Sequence, residues 1–353
     1  MNTRSWPPWA RRSASLRCPA EVAGENGALR QGGGTLDANV ARHLLVTMWR
    51  IRAFEERLEP LKRSSTVHGL THLSIGQEAV AAGVCTQLGN DEIVYSNHRA
   101  HGHALAKGVD MGRLLAELMG RADGCCRGLG GSMHVVDVAH GFFGATGVVG
   151  GNLPFAVGAA FASRLRGDSA VVVVFFGDGA AQAGIFAESV NLASLWQVPV
   201  VFVCENNGFA EFTPRSAHTR VERVSDLAAP FHVTAATVDG NDVVEVHRAF
   251  GEVLASASAG KGPFLLECLT HRRSGHYVGD PGGYRVASDD ESWRDKDPIG
   301  RLVRRGATEG WFGEDAARAI EAAARDEVEA AVAFASASPF PDLTLPADLT
   351  YAR

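Results

Sequence analysis

Two short apolar runs, each ending in a polar turn, constrain the fold of this chain more than any other feature. The first run covers residues 170–176 and ends at a GDG turn (residues 177–179), and the second covers residues 198–204 and ends at an ENNG turn (residues 205–208). Both runs are rich in β-branched residues, as parallel strands buried on both faces are. The segment between them has the length of a right-handed crossover helix. We therefore expect both turns at the carboxyl edge of a parallel sheet, where α/β folds bind ligands.

Helical and strand patterns alternate along the rest of the chain, which favours an α/β fold. We expect a three-layer arrangement in which a parallel sheet lies between helices on both of its faces. Helical spacing of apolar residues runs over residues 36–61, where Pro60 marks the predicted end of the helix. Further helices are predicted from about residue 77 and over residues 111–119, 154–165, 243–257 and 314–334. Further strands are predicted over residues 91–95, 234–238 and 263–269.

The composition changes only at the two ends of the chain. The first residues are basic and rich in Ser, Pro and Trp, and Gly32-Gly33-Gly34 closes that stretch. Its prolines fit an amphipathic presequence helix badly. We therefore predict a flexible N-terminal tail over residues 1–35 and one domain over residues 36–353, which ends in an extended C-terminal tail.

The overall composition excludes several classes of protein. With 46% hydrophobic and 21% charged residues, the chain is suited to an ordinary globular core. The net charge of −6 gives no general footprint for nucleic acid, and no apolar run approaches the roughly 20 residues of a membrane span. The six cysteines form no CxxC pair, so we expect reduced thiols and a cytoplasmic protein without nucleic-acid or membrane partners.

The two turns predict a magnesium–diphosphate site. The glycines of the GDG turn expose backbone amides, and a helix predicted to begin near Ala180 points its positive end at the same place, which suits a phosphate. The carboxylate of Asp178 would repel a phosphate unless a cation lies between them. Asn207 supplies a neutral oxygen at the neighbouring strand end, and carboxylate, amide and phosphate oxygens are the ligands that Mg²⁺ prefers.

Other phosphate-binding motifs do not match. In the segment GDGAAQAG the third glycine falls at Gly184 instead of position 182, so the dinucleotide fingerprint is not met, and GxxxxGK[ST] is absent from the sequence. The glycine-dense stretch of residues 120–151 indicates structural loops or a ligand or second subunit close to the backbone. The small residues of the helix predicted at 154–165 likewise suit close packing with another helix.

The GDG turn and the NN pair are separated by the 26 residues 180–205, and this spacing resembles the cofactor motif of thiamine diphosphate-dependent enzymes. More narrowly, the chain resembles the α subunit of the two-chain E1 component of 2-oxoacid dehydrogenase complexes and of acetoin dehydrogenase. The resemblance covers the chain from about Leu36 to its C-terminus and rests on the motifs HLSIGQEA, NHRAHGHALAKG, GRADGCCRGLGGSMH, GATGVVGGNLP, GDGAAQAGIFAESVNLASLW, ENNGFAEFTP and HRRSGHYVGDPGGYR.

The resemblance implies roles for individual residues. Asp178, Asn207 and the main-chain carbonyl of Phe209 would ligate Mg²⁺, and the amides of Gly179 and Ala180 would meet the diphosphate. Arg99 would pair with a diphosphate oxygen, and His98, which stands where pyruvate dehydrogenases tend to have Tyr, would also contact the cofactor. The remaining implied contacts are those of the Gly147 and Val149 backbone with the aminopyrimidine, and those of His72 and His276 with the reacting carbon.

The resemblance also implies partners. In this family the Glu that activates thiamine diphosphate comes from the β subunit, so the chain is predicted to hold half an active site in an α₂β₂ heterotetramer. The substrate would be acetoin or a pyruvate-like 2-oxoacid, with branched-chain 2-oxoacids third, and the acyl group would pass to a lipoyl-bearing E2 acyltransferase. Tyr277 occupies the place of a phosphorylated Ser in animal enzymes, so that control is not expected. The alternatives are a non-catalytic α-like assembly partner and a transketolase-type half.

Overall fold

A computed structural model describes residues 36–168, 170–285, 293 and 295–342. At its centre lies a parallel sheet of six strands: β1 (Ile93–Ser96), β2 (Phe142–Ala145), β3 (Val172–Gly177), β4 (Val200–Asn206), β7 (Thr234–Asp239) and β8 (Phe264–Leu269). The strand order is β2-β1-β3-β4-β8-β7. Two short antiparallel strands, β5 (Phe209–Ala210) and β6 (Thr213–Pro214), form a separate hairpin after β4.

Helices cover both faces of the sheet. They are α1 (Ala38–Arg63), α2 (Glu78–Cys85), α3 (Ala100–Lys107), α4 (Met111–Leu118), α5 (Asn152–Arg166), α6 (Gly184–Trp196), α7 (Arg215–His218), α8 (Val243–Ser258), α9 (Pro298–Glu309) and α10 (Glu314–Ala337). One face of the sheet packs on α5 and α6, and the other packs on α1 to α4, α8 and α10, so the predicted three-layer α/β class is confirmed.

Strand β3 shows why the first apolar run is almost free of polar residues. Val173 and Phe175 point into the core on one face of the sheet, whereas Val172 and Val174 point into the core on the other. Both faces are therefore buried, and neither tolerates a polar side chain. The parallel register of β3 with β4 ends at the pairing of Gly177 with Glu205, which places the GDG turn beside the ENNG turn as predicted.

Two predicted helix boundaries were wrong. Helix α1 continues past Pro60 to Arg63, because a proline in the last turn removes only one intrahelical hydrogen bond and the Ser64 amide caps that turn by donating to the Pro60 carbonyl. The helix expected near Ala180 is a single 3₁₀ turn, and α6 begins only at Gly184 because Ala183 is extended. The helix dipole therefore starts further from the GDG turn than the sequence indicated.

A buried carboxylate organises the glycine-dense stretch. Glu117, at the end of α4, is fully buried. Its two oxygens accept four backbone N–H bonds, from Cys126 (2.7 Å), Gly128 (2.8 Å), Gly130 (2.7 Å) and Gly131 (3.1 Å). Close packing adds to this, since a Cβ on Gly124 would lie 2.6 Å from the Cα of Glu117. Part of the glycine density is thus explained by a loop wrapped around one acid.

The same acid lies beside the adjacent cysteines. The potential metal-binding atoms of Glu117, Cys125 and Cys126 lie within 4.8 Å of one another. A carboxylate has about four lone-pair sites, and the four amide bonds use them, so a metal ion there would have to displace the bonds that hold the loop. Cys85, Cys204 and Cys268 are buried free thiols.

Several predictions fall partly or wholly outside the part of the chain that the structure covers. The N-terminal tail of residues 1–35, which includes Cys18, and residues 343–353 of the C-terminal tail are outside it. The division into a tail and one domain therefore stays a prediction. Among the helices of the described ranges, none combines the length and apolar character needed to cross a bilayer.

We expect Glu117→Ala to lower the free energy of unfolding by about 3 kcal/mol or more, because four backbone donors lose their acceptor. Urea denaturation measures this change. Glu314→Ala, at an exposed position on α10, is the matched control and should change the stability by less than about 0.5 kcal/mol. Equal losses in the two variants would contradict the organising role of Glu117.

Candidate active site

A cleft of about 420 Å³ opens at the carboxyl edge of the sheet. Its volume lies in the range of roughly 300–1,000 Å³ that small-molecule sites occupy. All eleven residues to which the sequence assigned a role line it: His72, His98, Arg99, Gly147, Val149, Asp178, Gly179, Ala180, Asn207, Phe209 and His276. The structure thus brings the predicted site together, while the contact of each residue with a ligand stays a prediction.

Asp178 is the most unusual polar group of the cleft. Its side chain is about 1% exposed, yet within the described ranges neither carboxylate oxygen has a hydrogen-bond partner. Burial raises the pKa of this carboxyl. Arg215 and His218 lie 3.9 and 3.8 Å away, beyond hydrogen-bond distance, and a buried carboxylate without hydrogen bonds is costly unless a cation meets it directly. The two oxygens therefore fit a hard cation such as Mg²⁺.

Asn207 lies at the neighbouring strand end, with its amide group held in one orientation. Its Nδ2 donates to Oε1 of Gln77 at 3.2 Å, and its Oδ1 accepts from the backbone of Phe209 at 3.2 Å. An amide oxygen has two lone pairs, so one remains for a further donor or a cation. Asp178 and Asn207 together offer the oxygen donors expected of a magnesium site.

The GDG turn packs tightly on the β5–β6 hairpin. A Cβ on Gly179 would lie 2.8 Å from the Cβ of Ala210, which is closer than such atoms approach. The glycine is therefore required by packing as well as by any contact with a diphosphate. This close approach also fixes the hairpin, and with it Phe209, beside Asp178.

Three histidines meet in the cleft, and we call His72, His98 and His276 the histidine cluster. The ring centroid of His72 lies 4.7 Å from that of His98 and 4.9 Å from that of His276, and the last two are 5.4 Å apart. Burial, followed by the nearby Arg99, lowers the pKa of His72 to about 3 and that of His276 to about 4. Burial also lowers the pKa of His98 well below its usual value. All three are neutral at pH 7 and are therefore able to accept a proton.

Arg99 holds the histidine cluster in place. Its guanidinium donates to the carbonyl of Leu73 at 2.6 Å and to that of His276 at 3.0 Å, and one nitrogen lies 3.2 Å from Nδ1 of His276. Burial, followed by the charge of Arg272, lowers the pKa of Arg99 to about 9. The group stays charged at neutral pH, and its predicted contact with a diphosphate oxygen remains a prediction.

The sequence interpretation assigned no role to several residues of the site. Glu205 lines the cleft, with Oε1 3.1 Å from Nε2 of His103, and Arg272 lies 3.2 Å from Nδ1 of His276. Both lie in motifs that carry the family resemblance, Glu205 in ENNGFAEFTP and Arg272 in HRRSGHYVGDPGGYR, so the sequence could have identified them as site residues. Arg215 and His218 lie behind the residues that line the cleft and approach Asp178 to 3.9 and 3.8 Å, and the only hint of them was their place shortly after the ENNG turn.

The open side of the cleft has an apolar rim. Val148 and Val149 are 70% and 60% exposed, and Leu70 is 54% exposed. Gly147, next to them in the chain, is closely packed, because a Cβ there would meet the sulfur of Met133 at 3.3 Å. Large apolar side chains clustered at the mouth of a cleft are typical of a surface that another molecule covers.

Comparison with known proteins places this geometry in context. A family model described as "Dehydrogenase E1 component" matches residues 46–344. The chain is similar to the α subunit of acetoin:2,6-dichlorophenolindophenol oxidoreductase from Bacillus subtilis (39% identity over 317 residues; 89% of this chain, 94% of the relative). It is 41% identical over 305 residues to the protein of the same name from Cupriavidus necator (85% and 92% covered). It is also 37% identical over 336 residues to the pyruvate dehydrogenase E1 component subunit alpha of Rhizobium meliloti (95% of each).

The lowered pKa values of the histidine cluster predict a loss of stability in acid. Each imidazole is neutral in the folded chain but has a pKa of 6.5 when unperturbed, so the unfolded chain binds protons first as the pH falls. Above about pH 6.5 both states are neutral, so these groups do not change the free energy of unfolding. As the pH falls from 6.5 towards 4, proton binding by the unfolded chain lowers that free energy. We expect His72→Gln to reduce the loss of stability over this window by about 1–2 kcal/mol.

Urea denaturation at a series of pH values measures this dependence. His43→Gln, at an exposed position on α1, is the matched control and should keep the wild-type pH dependence. An identical pH dependence in His72→Gln and wild type would show that His72 is not buried as a neutral group.

Proposed function

The chain belongs to the dehydrogenase E1 component family, and we propose that it is the α subunit of a thiamine diphosphate-dependent enzyme that cleaves acetoin. The family model spans residues 46–344, and the dependence on thiamine diphosphate follows from the family. The observation that carries the proposal is Asp178, a buried carboxylate that has no hydrogen-bond partner among the described residues and shares a cleft with three neutral histidines. A non-catalytic assembly partner would not need to keep such a costly group.

The residues of the cleft fit the cofactor at both of its ends. At one end Asp178, Asn207 and the backbone of Phe209 would hold Mg²⁺, and the amides of Gly179 and Ala180 would hold the diphosphate. The unpartnered oxygens of Asp178 and the fixed amide of Asn207 support this assignment. The magnesium ion itself is part of the proposal.

The other end of the cleft would surround the reacting atoms. When bound, thiamine diphosphate supplies a nucleophilic carbon that adds to the carbonyl carbon of the substrate. His72 and His276, both neutral at pH 7, would face the substrate hydroxyl and exchange hydrogen bonds with it as its proton moves. Arg99 would keep the ring of His276 oriented through its bonds to that residue, and Gly147 and Val149 would position the aminopyrimidine by their backbone.

Alpha subunits of this family imply a β-subunit partner and an E2 component. We propose that the β subunit covers the apolar rim at Val148 and Val149 and supplies the activating Glu, and that two copies of each chain form an α₂β₂ heterotetramer. The exposure of this rim supports the idea. Phe155, which is 61% exposed on α5, extends the apolar surface. A lipoyl group on E2 would receive the acyl fragment. We also propose that the enzyme is located in the cytoplasm.

Acetoin is the first candidate substrate, because two of the relatives described above are named for it. Pyruvate is the second, and one observation favours it. Arg99 and Arg272 both lie 3.2 Å from Nδ1 of His276, so a substrate carboxylate near the histidine cluster would meet positive charge. The sequence also suggested branched-chain 2-oxoacids, which no feature of the cleft favours.

We expect Asp178→Asn to weaken Mg²⁺-dependent binding of thiamine diphosphate at least 100-fold in the α/β complex, because the variant removes the only formal charge that faces the cation from the GDG turn. Isothermal titration calorimetry measures the affinity. Asp226→Asn, an exposed position, is the control. Unchanged affinity in Asp178→Asn would refute the proposed site.

The isolated chain should show no turnover, because the activating Glu lies on the β subunit. Reduction of 2,6-dichlorophenolindophenol in the presence of acetoin and thiamine diphosphate measures activity, and we expect it only when the β subunit is added. Turnover by the purified chain alone at the rate of the complex would contradict the half-site proposal.

The same assay decides between the two substrates. We expect kcat/KM of the α/β complex to be at least tenfold higher for acetoin than for pyruvate. The reverse order would identify the protein as a pyruvate enzyme without changing the assignment of the cofactor site.

A further inference from the structure

Asp178, Arg215 and His218 together hold six buried polar atoms that have no hydrogen-bond partner among the described residues. They are both oxygens of Asp178, Nε and Nη1 of Arg215, and both ring nitrogens of His218. Nη1 of Arg215 lies 3.9 Å, and Nε2 of His218 lies 3.8 Å, from Oδ2 of Asp178. These distances are too long for hydrogen bonds. The carboxylate of Asp178 and the two basic side chains therefore lie close together without forming hydrogen bonds to each other.

The backbone holds both basic side chains at this place. They lie on α7, directly after the β5–β6 hairpin, and the amide of Arg215 donates to the carbonyl of Gly208 at 2.8 Å. The other terminal nitrogen of Arg215 donates to the carbonyl of Val221 at 3.0 Å. The side chains of Arg215 and His218 are only 15% and 13% exposed, so water satisfies little of what is left open.

Buried donors of this kind call for an acceptor, because an unsatisfied donor costs about 1–3 kcal/mol and more when it is charged. The carboxylate of Asp178 does not serve, since it lies 3.8–3.9 Å from the two bases. An anion placed beside Asp178 would serve both bases. A lone anion there would be repelled by the carboxylate, so it must arrive together with a cation.

A diphosphate bound through Mg²⁺ meets this condition. Oxygens that share an octahedral Mg²⁺ lie about 3 Å apart, so a phosphate oxygen on the same cation as Asp178 would come within reach of donors that are 3.8–3.9 Å from its carboxylate. The charges agree as well. A diphosphate carries more negative charge than one Mg²⁺ neutralises, and Asp178 adds another, so further positive charge is needed in a buried site.

We propose that Arg215 and His218 form an additional diphosphate-binding pair, which donates hydrogen bonds to the phosphate oxygens of thiamine diphosphate beside Asp178. This proposal rests on the proposed function, because it assumes that the cleft binds the magnesium complex of thiamine diphosphate. On this proposal α7 adds positive charge to the phosphate end of the site, beside the contact predicted for Arg99.

The test measures the binding of three probes to the α/β complex: thiamine diphosphate with Mg²⁺, inorganic diphosphate with Mg²⁺, and Mn²⁺ alone. We expect Arg215→Ala to weaken the binding of both diphosphate ligands by about 10- to 100-fold, the range for one charge-assisted hydrogen bond. Binding of Mn²⁺ alone should be unchanged or tighter, because the variant removes a positive charge near Asp178. Calorimetry measures the first two probes, and electron paramagnetic resonance of free Mn²⁺ measures the third.

Arg220→Ala is the matched control, because Arg220 lies on the same segment but is exposed, and all three affinities should equal those of wild type. Arg215→Gln, of similar size and without charge, replaces Arg215→Ala if that variant fails to assemble with the β subunit. His218→Asn should weaken both diphosphate ligands in the same direction.

Two results would overturn the proposal. Wild-type affinity for both diphosphate ligands in Arg215→Ala and Arg215→Gln would show that the guanidinium does not reach the phosphates. An equal loss of Mn²⁺ and diphosphate binding would show that Arg215 acts only by holding Asp178. Failure of the wild-type complex to bind thiamine diphosphate with Mg²⁺ would refute the proposed function itself, and so is distinguishable from both.

Discussion

One buried carboxylate, which has no hydrogen-bond partner in the part of the chain that the structure describes, constrains the rest of this site. Asp178 stands at the end of the central strand β3, where the sheet register brings it beside the ENNG turn. A close contact at Gly179 presses the turn against the β5–β6 hairpin, so the acid cannot move away to find water. The fold thus buries a carboxylate that Arg215 and His218 approach only to 3.9 and 3.8 Å, and a cation in direct contact would stabilise its charge, which links the sheet topology to the chemistry.

The cleft divides into a charged end and a neutral end. Asp178 and Asn207 provide oxygen donors at the first, with Arg215 beside them. Burial keeps the imidazoles of His72 and His276 uncharged at the second. Arg99 and Arg272 hold His276 in place at the neutral end through their hydrogen-bond contacts with it. The four hydrogen bonds from backbone amides to Glu117 hold part of the glycine-dense stretch that leads towards this end. A ligand that is highly charged at one end and reactive at the other fits this division.

The sequence allowed the sheet and most of the cleft to be predicted, because both depend on patterns that are local in the chain. The apolar runs of β3 and β4 required burial on both faces, and parallel strands then had to bring the two turns together. The end of α1 and the start of α6 were missed because capping by Ser64 and the extended Ala183 depend on details below the level of periodicity. The contacts of Arg215 and the four amides around Glu117 join segments that no sequence pattern connects.

The most direct test of the account is to locate a metal ion in crystals of the α/β complex grown with thiamine diphosphate and Mn²⁺ in place of Mg²⁺. Anomalous scattering from manganese identifies the ion without reference to the surrounding density. The account predicts one strong peak within about 2–2.3 Å of a carboxylate oxygen of Asp178 and of the amide oxygen of Asn207. A bound cofactor with no manganese peak at Asp178, or with the peak elsewhere in the cleft, would contradict it.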